Sequence, residues 1–159
     1  MTTIRSYIDG DAAEICAVFE ASVQAIGPEH YTEQQVQAWI AHAPTRKQVE
    51  ARCADGRVTY VSLNQKRRIV GYIDLEADGH IDHLYCAPEA TRKGISLALY
   101  EVVERRALEK RMARLYTEAS EAAMRFFTRR GFSVLNRRDL KRGGVEIHNF
   151  TMQKMLDQQ

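Results

Sequence analysis

The amino-acid sequence predicts one mixed α/β domain. Apolar residues recur at helical spacing in the first third of the chain, change to alternate positions from Val58, and return to helical spacing after Gly94. Two turn signals, the segment QKRR and Asp78-Gly79, separate the alternating segments and indicate hairpins. With 159 residues the chain is long enough for one core but short for two, so we expect a single domain over residues 1–159.

Composition and charge favour a soluble globular protein over other classes. Hydrophobic residues make up 45% and charged residues 28% of the chain. No apolar run is long enough to cross a bilayer and no apolar signal core is present, so we expect a cytoplasmic protein with no membrane partner. Cys16, Cys53 and Cys86 are odd in number and widely spaced, as expected for reduced thiols. A net charge of +2 is too small to indicate nucleic-acid binding.

The first third of the chain is predicted to form one strand and three helical segments. The strand covers residues 3–8, and an apolar helical stripe then continues to Ile26. Three capping boxes mark the expected helix starts: Asp11 with Glu14, Thr32 with Gln35, and Thr45 with Gln48.

The remaining elements are predicted from the same periodicities. Strands are expected at residues 58–64 and 69–75 as a hairpin, at 80–87, at 113–119, and on either side of residues 142–144. Helices are expected at residues 94–112 and over a short segment that ends at Gly131.

The segment HIDHLYCA carries several chemically reactive side chains. Strict alternation in a strand places His80, Asp82, Leu84 and Cys86 on one face and Ile81, His83 and Tyr85 on the other. The two histidines then lie on opposite faces and no fourth ligand is near, so we expect no metal site.

A basic pair precedes the predicted helix at Gly94. Pro88 ends the strand, and Arg92 and Lys93 stand directly before Gly94. The first backbone N–H groups of a helix have no intrahelical partner and bind anions, and a glycine lets a ligand approach the backbone. Neither G-x-x-x-x-G-K-[ST] nor a G-x-G-x-x-G after a strand is present. The three residues alone are more typical of a solvated basic turn than of an anion site.

The order of elements, with LYCAPEATRKGIS followed by EAAMRFFTRRGF, resembles the GNAT superfamily of acyl-CoA-dependent N-acetyltransferases. The resemblance covers nearly the whole chain. It implies the GNAT fold, a mixed and mostly antiparallel twisted central sheet flanked by helices. It also implies transfer of an acetyl group from acetyl-CoA, as co-substrate and without a metal, to a primary amine of a small molecule or peptide by direct attack.

The resemblance assigns cofactor-binding positions residue by residue. In the family the strand before the proline binds the pantetheine arm, and the turn and helix start bind the pyrophosphate. The positions that match are Leu84, Tyr85 and Cys86 on the strand, and Arg92, Lys93, Gly94, Ile95, Ser96 and Leu97 at the helix start. Ser120 stands where the family often has an asparagine contacting the cofactor, and Phe127 where it often has the tyrosine that acts as general acid.

Because Phe127 cannot donate a proton, the catalytic acid and base have to be other groups. Family members often carry a carboxylate near the position of Asp82, which makes Asp82 the first candidate for the general base and Glu118 the second. Tyr116 or water could replace the missing acid. Each acid is also compatible with a solvated position at a strand end.

Other functions are compatible with the same sequence. A non-catalytic acyl-CoA sensor would keep the cofactor site without the acid. A nucleic-acid-binding module is disfavoured because aromatic residues are not interleaved with the late arginines. The sequence does not indicate which amine is the acceptor, and it leaves a homodimer open.

Overall fold

The computed structural model describes residues 2–157. The helices are α1 Ala12–Ile26, α2 Glu33–Ala41, α3 Arg46–Cys53, α4 Ile95–Glu109 and α5 Glu121–Arg129. The strands are β1 Thr3–Ser6, β2 Val58–Leu63, β3 Ile69–Leu75, β4 Leu84–Cys86, β5 Arg114–Ala119, β6 Ser133–Arg142 and β7 Val145–Met155. Two short 3₁₀ turns were not predicted from the sequence: Gly27–Glu29 lies between α1 and α2, and Pro88–Ala90 lies between β4 and α4.

The strands form two antiparallel sheets that touch at one point. The first has the order β1-β2-β3-β4 and the second the order β5-β7-β6, so β4 and β5 are facing edges. A parallel bridge joins His80 to Tyr116, and the Ile81 N–H donates to the Tyr116 carbonyl at 2.8 Å. Beyond this bridge, β4 has no strand partner on the β5 side within the described residues. A gap therefore opens between the two sheets.

Gly79 fixes the point at which the sheets meet. Its φ of +96° lies in the region that favours glycine, and a Cβ there would overlap the carbonyl oxygen of Arg114. Only a residue without a side chain allows the turn before β4 to approach β5 this closely.

Helices cover both faces of the first sheet. Residues of β3 are buried along its whole length, because α4 packs on one face while α1 and α3 pack on the other. A Cβ at Gly71 on β3 would lie 3.1 Å from Cys86 Sγ and from Leu99 Cδ1, so α4 approaches the sheet closely. The mixed α/β architecture with mostly antiparallel strands confirms the predicted fold class.

Two of the three predicted capping boxes are confirmed. The hydroxyls of Thr32 and Thr45 each accept a bond from the backbone three residues on, and the glutamines reciprocate. The box at Asp11 is wrong, although α1 does begin there. The Asp11 carboxylate instead accepts bonds from Arg5 at 2.8 and 3.0 Å and from the Ile8 N–H. Within residues 2–157, no helix combines the length and apolar character needed to cross a membrane.

Candidate active site

Two adjacent cavities adjoin β4. The narrow cavity, of about 160 Å³, lies between the end of α1, β4, the turn before α4 and the start of α5. The wide cavity, of about 740 Å³, is lined by α2, α3, the segment before β4, the end of β5, and the β6–β7 hairpin. Five residues line both cavities: Trp39, Leu84, Tyr85, Ser120 and Ala123.

The turn before α4 presents backbone N–H groups beside the narrow cavity. Arg92 and Gly94 have φ values of 64° and 76°, and Gly94 is the N-cap residue of α4. The first N–H groups of a helix have no intrahelical partner, and Gly94 has no side chain that could cap those of α4. A Cβ at Gly94 would meet no atom within 4 Å, so the space beside the backbone is open. Such a turn is suited to an anion.

The predicted cofactor residues occupy four different environments. Leu84, Tyr85, Cys86, Ser96 and Ser120 line the narrow cavity, and Phe127 lines the wide one. Arg92, Lys93 and Gly94 form the exposed turn. Ile95 is buried in the core and Leu97 is half-buried on α4, so these two can offer a ligand little more than their backbone.

Cys86 is a packed thiol. Its Sγ lies 3.1 Å from the Ser96 hydroxyl, and the side chain is buried against Gly71. Burial raises the pKa of the Cys86 thiol, which keeps it protonated at neutral pH. A protonated, packed thiol is a poor nucleophile.

Asp82 lines the wide cavity with its carboxylate held by two arginines. Its Oδ2 lies 2.8 Å from Arg52 and 3.2 Å from Arg57. Burial opposes ionisation, but the surrounding positive groups hold the pKa of Asp82 below its ordinary value. The carboxylate is therefore ionised at neutral pH and is a weak direct proton acceptor.

The buried carboxylate of Asp74 interrupts the predicted alternation before β4. Its Oδ1 accepts bonds from the backbone N–H groups of both Asp82 and His83, each at 2.9 Å. Regular strand structure is consequently confined to Leu84–Cys86 instead of residues 80–87. The prediction that Asp82 and His83 lie on opposite faces is wrong, because both side chains line the wide cavity.

His83 is a neutral imidazole at the wall of the wide cavity. Burial lowers the pKa of His83 to about 4. Its Nδ1 lies 2.9 Å from the hydroxyl of Tyr72, which is buried and has no other hydrogen bond among the described residues. A buried hydroxyl donates where it can, so Nδ1 is the acceptor and the imidazole proton is on Nε2.

Glu118 also lines the wide cavity and is paired with a histidine. Its carboxylate lies 2.6 Å from His80 Nε2 and 3.5 Å from Arg138. Burial alone would lower the pKa of His80, but the hydrogen bonds that His80 donates to Glu118 and Glu76 raise it to about 9. His80 is therefore a cation at neutral pH. Across residues 2–157, no group of three or more His, Cys, Asp or Glu side chains is placed to hold a metal ion.

Tyr116 lies away from both cavities. Its hydroxyl donates to Asp78, and Arg114 stacks on its ring at 4.5 Å. The hydrogen bond to Asp78 raises the pKa of Tyr116 to about 12. The structure therefore does not bring Tyr116 together with Asp82 and Glu118, and it gives Tyr116 no path to a leaving group in either cavity.

The sequence did not predict a second histidine–carboxylate pair at the wide cavity. His148 Nε2 lies 2.6 Å from the Glu121 carboxylate, and Tyr31 bonds to the backbone of both residues. Tyr31 and His148 line the cavity. No local pattern connects these residues, because Tyr31 is 117 positions from His148 and only the fold joins them.

Comparison with known proteins identifies the family. A family model of the acetyltransferase (GNAT) domain matches residues 28–154, which include both motifs and most of the residues that line the cavities. This chain belongs to the GNAT family of N-acetyltransferases. The match confirms the resemblance seen in the sequence and the enzyme class that it implied.

Related proteins match this chain over nearly its whole length. The chain is 32% identical over 149 residues to the uncharacterized N-acetyltransferase YafP of Escherichia coli K12, and the match covers 94% of this chain and 93% of that protein. A GCN5-related N-acetyltransferase from Rhodopseudomonas palustris superposes with a TM-score of 0.90 at 29% identity, covering 98% and 96% of the two chains. The PaiA N-acetyltransferase of Thermoplasma acidophilum, solved with coenzyme A, has a TM-score of 0.77 at 20% identity, covering 98% and 99%.

Proposed function

We propose that this enzyme transfers the acetyl group of acetyl-CoA to a primary amine of a small molecule or peptide by direct attack. The observation that carries this proposal is the junction of the two cavities. Five of the eleven predicted cofactor residues line the narrow cavity, and that cavity shares five wall residues with the wide one. A thioester delivered along the narrow cavity would meet an acceptor held in the wide cavity.

Acetyl-CoA has separate candidate binding places for its diphosphate and for its pantetheine arm beside β4. The diphosphate would bind at the exposed turn, where Arg92, Lys93 and the first N–H groups of α4 come together. The pantetheine arm would follow the unpaired edge of β4. Two proteins of similar fold support this choice, since PaiA was solved with coenzyme A and YncA of Salmonella typhimurium with acetyl-CoA.

The reaction requires a neutral amine and a leaving thiolate. The amine nitrogen attacks the thioester carbon, the C–N bond forms, the C–S bond breaks, and one proton leaves the nitrogen. A thiol resembling cysteine has a pKa of about 8.5 and departs near neutral pH with modest help, so Phe127 in place of a tyrosine does not prevent turnover. Asp82 is the first candidate to accept the proton, directly or through a water, and Glu118 is the second.

A non-catalytic acyl-CoA sensor is the alternative function. Two observations favour it: Phe127, at 2% exposure, offers no proton, and the Asp82 carboxylate is already bonded to two arginines. A sensor would bind acetyl-CoA with the same turn and the same cavity but would not transfer the acetyl group.

Measurements of thiol release and of binding separate the two functions. Free thiol released from acetyl-CoA would be measured with a panel of small amines, amino acids, aminoglycosides, polyamines and peptides, and acetyl-CoA affinity by calorimetry. Release above the rate without amine, for at least one acceptor, supports the enzyme. Binding without release across the panel supports the sensor. Absence of binding would contradict both.

A further inference from the structure

The wide cavity has one wall that is rich in positive charge. Arg138, Leu140 and Arg142 alternate along β6 and line this cavity. Their direct partners on β7 include Asn149, opposite Arg138, and Ile147, opposite Leu140, which line it as well. The same face of the β6–β7 hairpin therefore presents two guanidinium groups to whatever occupies the cavity.

The charges of these two arginines are largely unpaired. Arg142 forms no ion pair within the described part of the chain. Arg138 has one long contact, 3.5 Å to Glu118, whose other oxygen is already bonded at 2.6 Å to the His80 cation.

The third arginine that lines the cavity is in a different situation. Arg52 is bonded to Asp74 at 2.9 Å and to Asp82 at 2.8 Å, so its charge is neutralised within the protein. Arg138 and Arg142 are thus the cations available to a ligand. A guanidinium binds carboxylates with two parallel hydrogen bonds, which makes an anionic group the natural partner.

We propose that the acceptor amine also carries a carboxylate, which Arg138 and Arg142 bind. The inference rests on the proposed function, because it specifies the class of molecule that enters the wide cavity. The amine of such an acceptor points towards β4 and the start of α5, where the two cavities join. The enzyme thus acts on amino acids or similar amino-carboxylates in preference to simple amines.

The test compares matched acceptors. Each of a set of α- and ω-amino acids would be paired with its amide and with the amine lacking the carboxyl group, at equal concentrations of neutral amine. Charge-assisted hydrogen bonds typically contribute about 1.5–3 kcal/mol, so we expect kcat/KM for at least one carboxylate to exceed that of both neutral partners by about tenfold or more. The absence of a preference in every set would overturn the proposal.

Substitutions then locate the source of the preference. The double variant Arg138→Gln/Arg142→Gln is expected to abolish it without changing acetyl-CoA affinity. Arg137→Gln is the matched control, since Arg137 is an exposed neighbour on the same strand that pairs with Asp139 and does not line the cavity. If the double variant keeps the preference, or loses acetyl-CoA affinity instead, the arginines do not bind the acceptor carboxylate.

A binding experiment separates failure of this inference from failure of the proposed function. If acetyl-CoA binds but no amine is acetylated, the transferase function fails. The anion site is then measured directly by calorimetry with N-acetylated amino acids and their amides. Tighter binding of the carboxylates, lost in the double variant, would still support the site, whereas equal affinities would refute it.

Discussion

The substitution Gly94→Glu tests the cofactor site at the backbone of the turn. A non-glycine residue in the left-handed region costs about 1–2 kcal/mol. No atom lies within 4 Å of the added Cβ, so we expect no steric cost beyond this. For a chain of this length the cost corresponds to a fall in Tm of roughly 2–8 °C. The new carboxylate would stand where the diphosphate is proposed to bind, so it would repel the cofactor and displace its hydrogen bonds.

The loss of affinity should be much larger than the loss of stability. Charge-assisted hydrogen bonds contribute about 1.5–3 kcal/mol each, and losing two corresponds to a decrease in acetyl-CoA affinity of about 10²-fold or more. Gly144→Glu is the matched control, because Gly144 has a φ of +80°, close to the +76° of Gly94, and equally open surroundings. Calorimetry and thermal melting would be measured for both. Unchanged acetyl-CoA affinity in Gly94→Glu, or equal losses in both variants, would refute the phosphate-binding role.

Three further predictions address phosphate contacts, proton transfer and pH. Replacing Arg92 and Lys93 together by alanine should weaken coenzyme A by about tenfold or more and leave pantetheine, which lacks the phosphates, unaffected in calorimetry; equal losses would make the pair structural. Asp82→Asn should lower turnover by ~10² near neutral pH, with a defect that shrinks as rising pH supplies neutral amine. Asp55→Asn is the control: it removes a bond to Arg57 outside the cavity and should not lower turnover. Full activity of Asp82→Asn would exclude Asp82 from proton transfer. His80 has its pKa raised from 6.5 to about 9, so its stabilising effect is complete below pH 6.5 and is lost as pH rises to about 9. The Tm of the wild type should therefore fall more over that range than the Tm of His80→Gln, and parallel decreases would contradict this role.

Local signals predicted most of the fold. Alternation located β2 and β3, and the hydroxyl–glutamine spacing at Thr32 and Thr45 gave true capping boxes. The same spacing at Asp11 failed because Arg5 and the Ile8 N–H, six and three residues earlier in the chain, bind the carboxylate instead.

The candidate site was predictable from the sequence only in part. The glycine turn at Gly94 depends on adjacent residues, and the structure has the left-handed backbone that it requires. The positions of Asp82 and His83 depend on Asp74 in a neighbouring strand, which draws both backbone N–H groups to one carboxylate. The sequence makes Tyr116 a candidate acid, but in the structure its hydroxyl bonds to Asp78.

We expect the gap between β4 and β5 to link the stability of the enzyme to the supply of its cofactor. The open edge of β4 faces this gap, and the two sheets are joined by the His80–Tyr116 bridge and by one apolar cluster to which β3, α4, β5 and β7 all contribute. A cofactor arm bonded to that edge couples the two sheets across the gap, and at a concentration 100 times its Kd a ligand raises the free energy of unfolding by about 2.7 kcal/mol. In a cell short of acetyl-CoA, more of the enzyme would be transiently open and accessible to proteases.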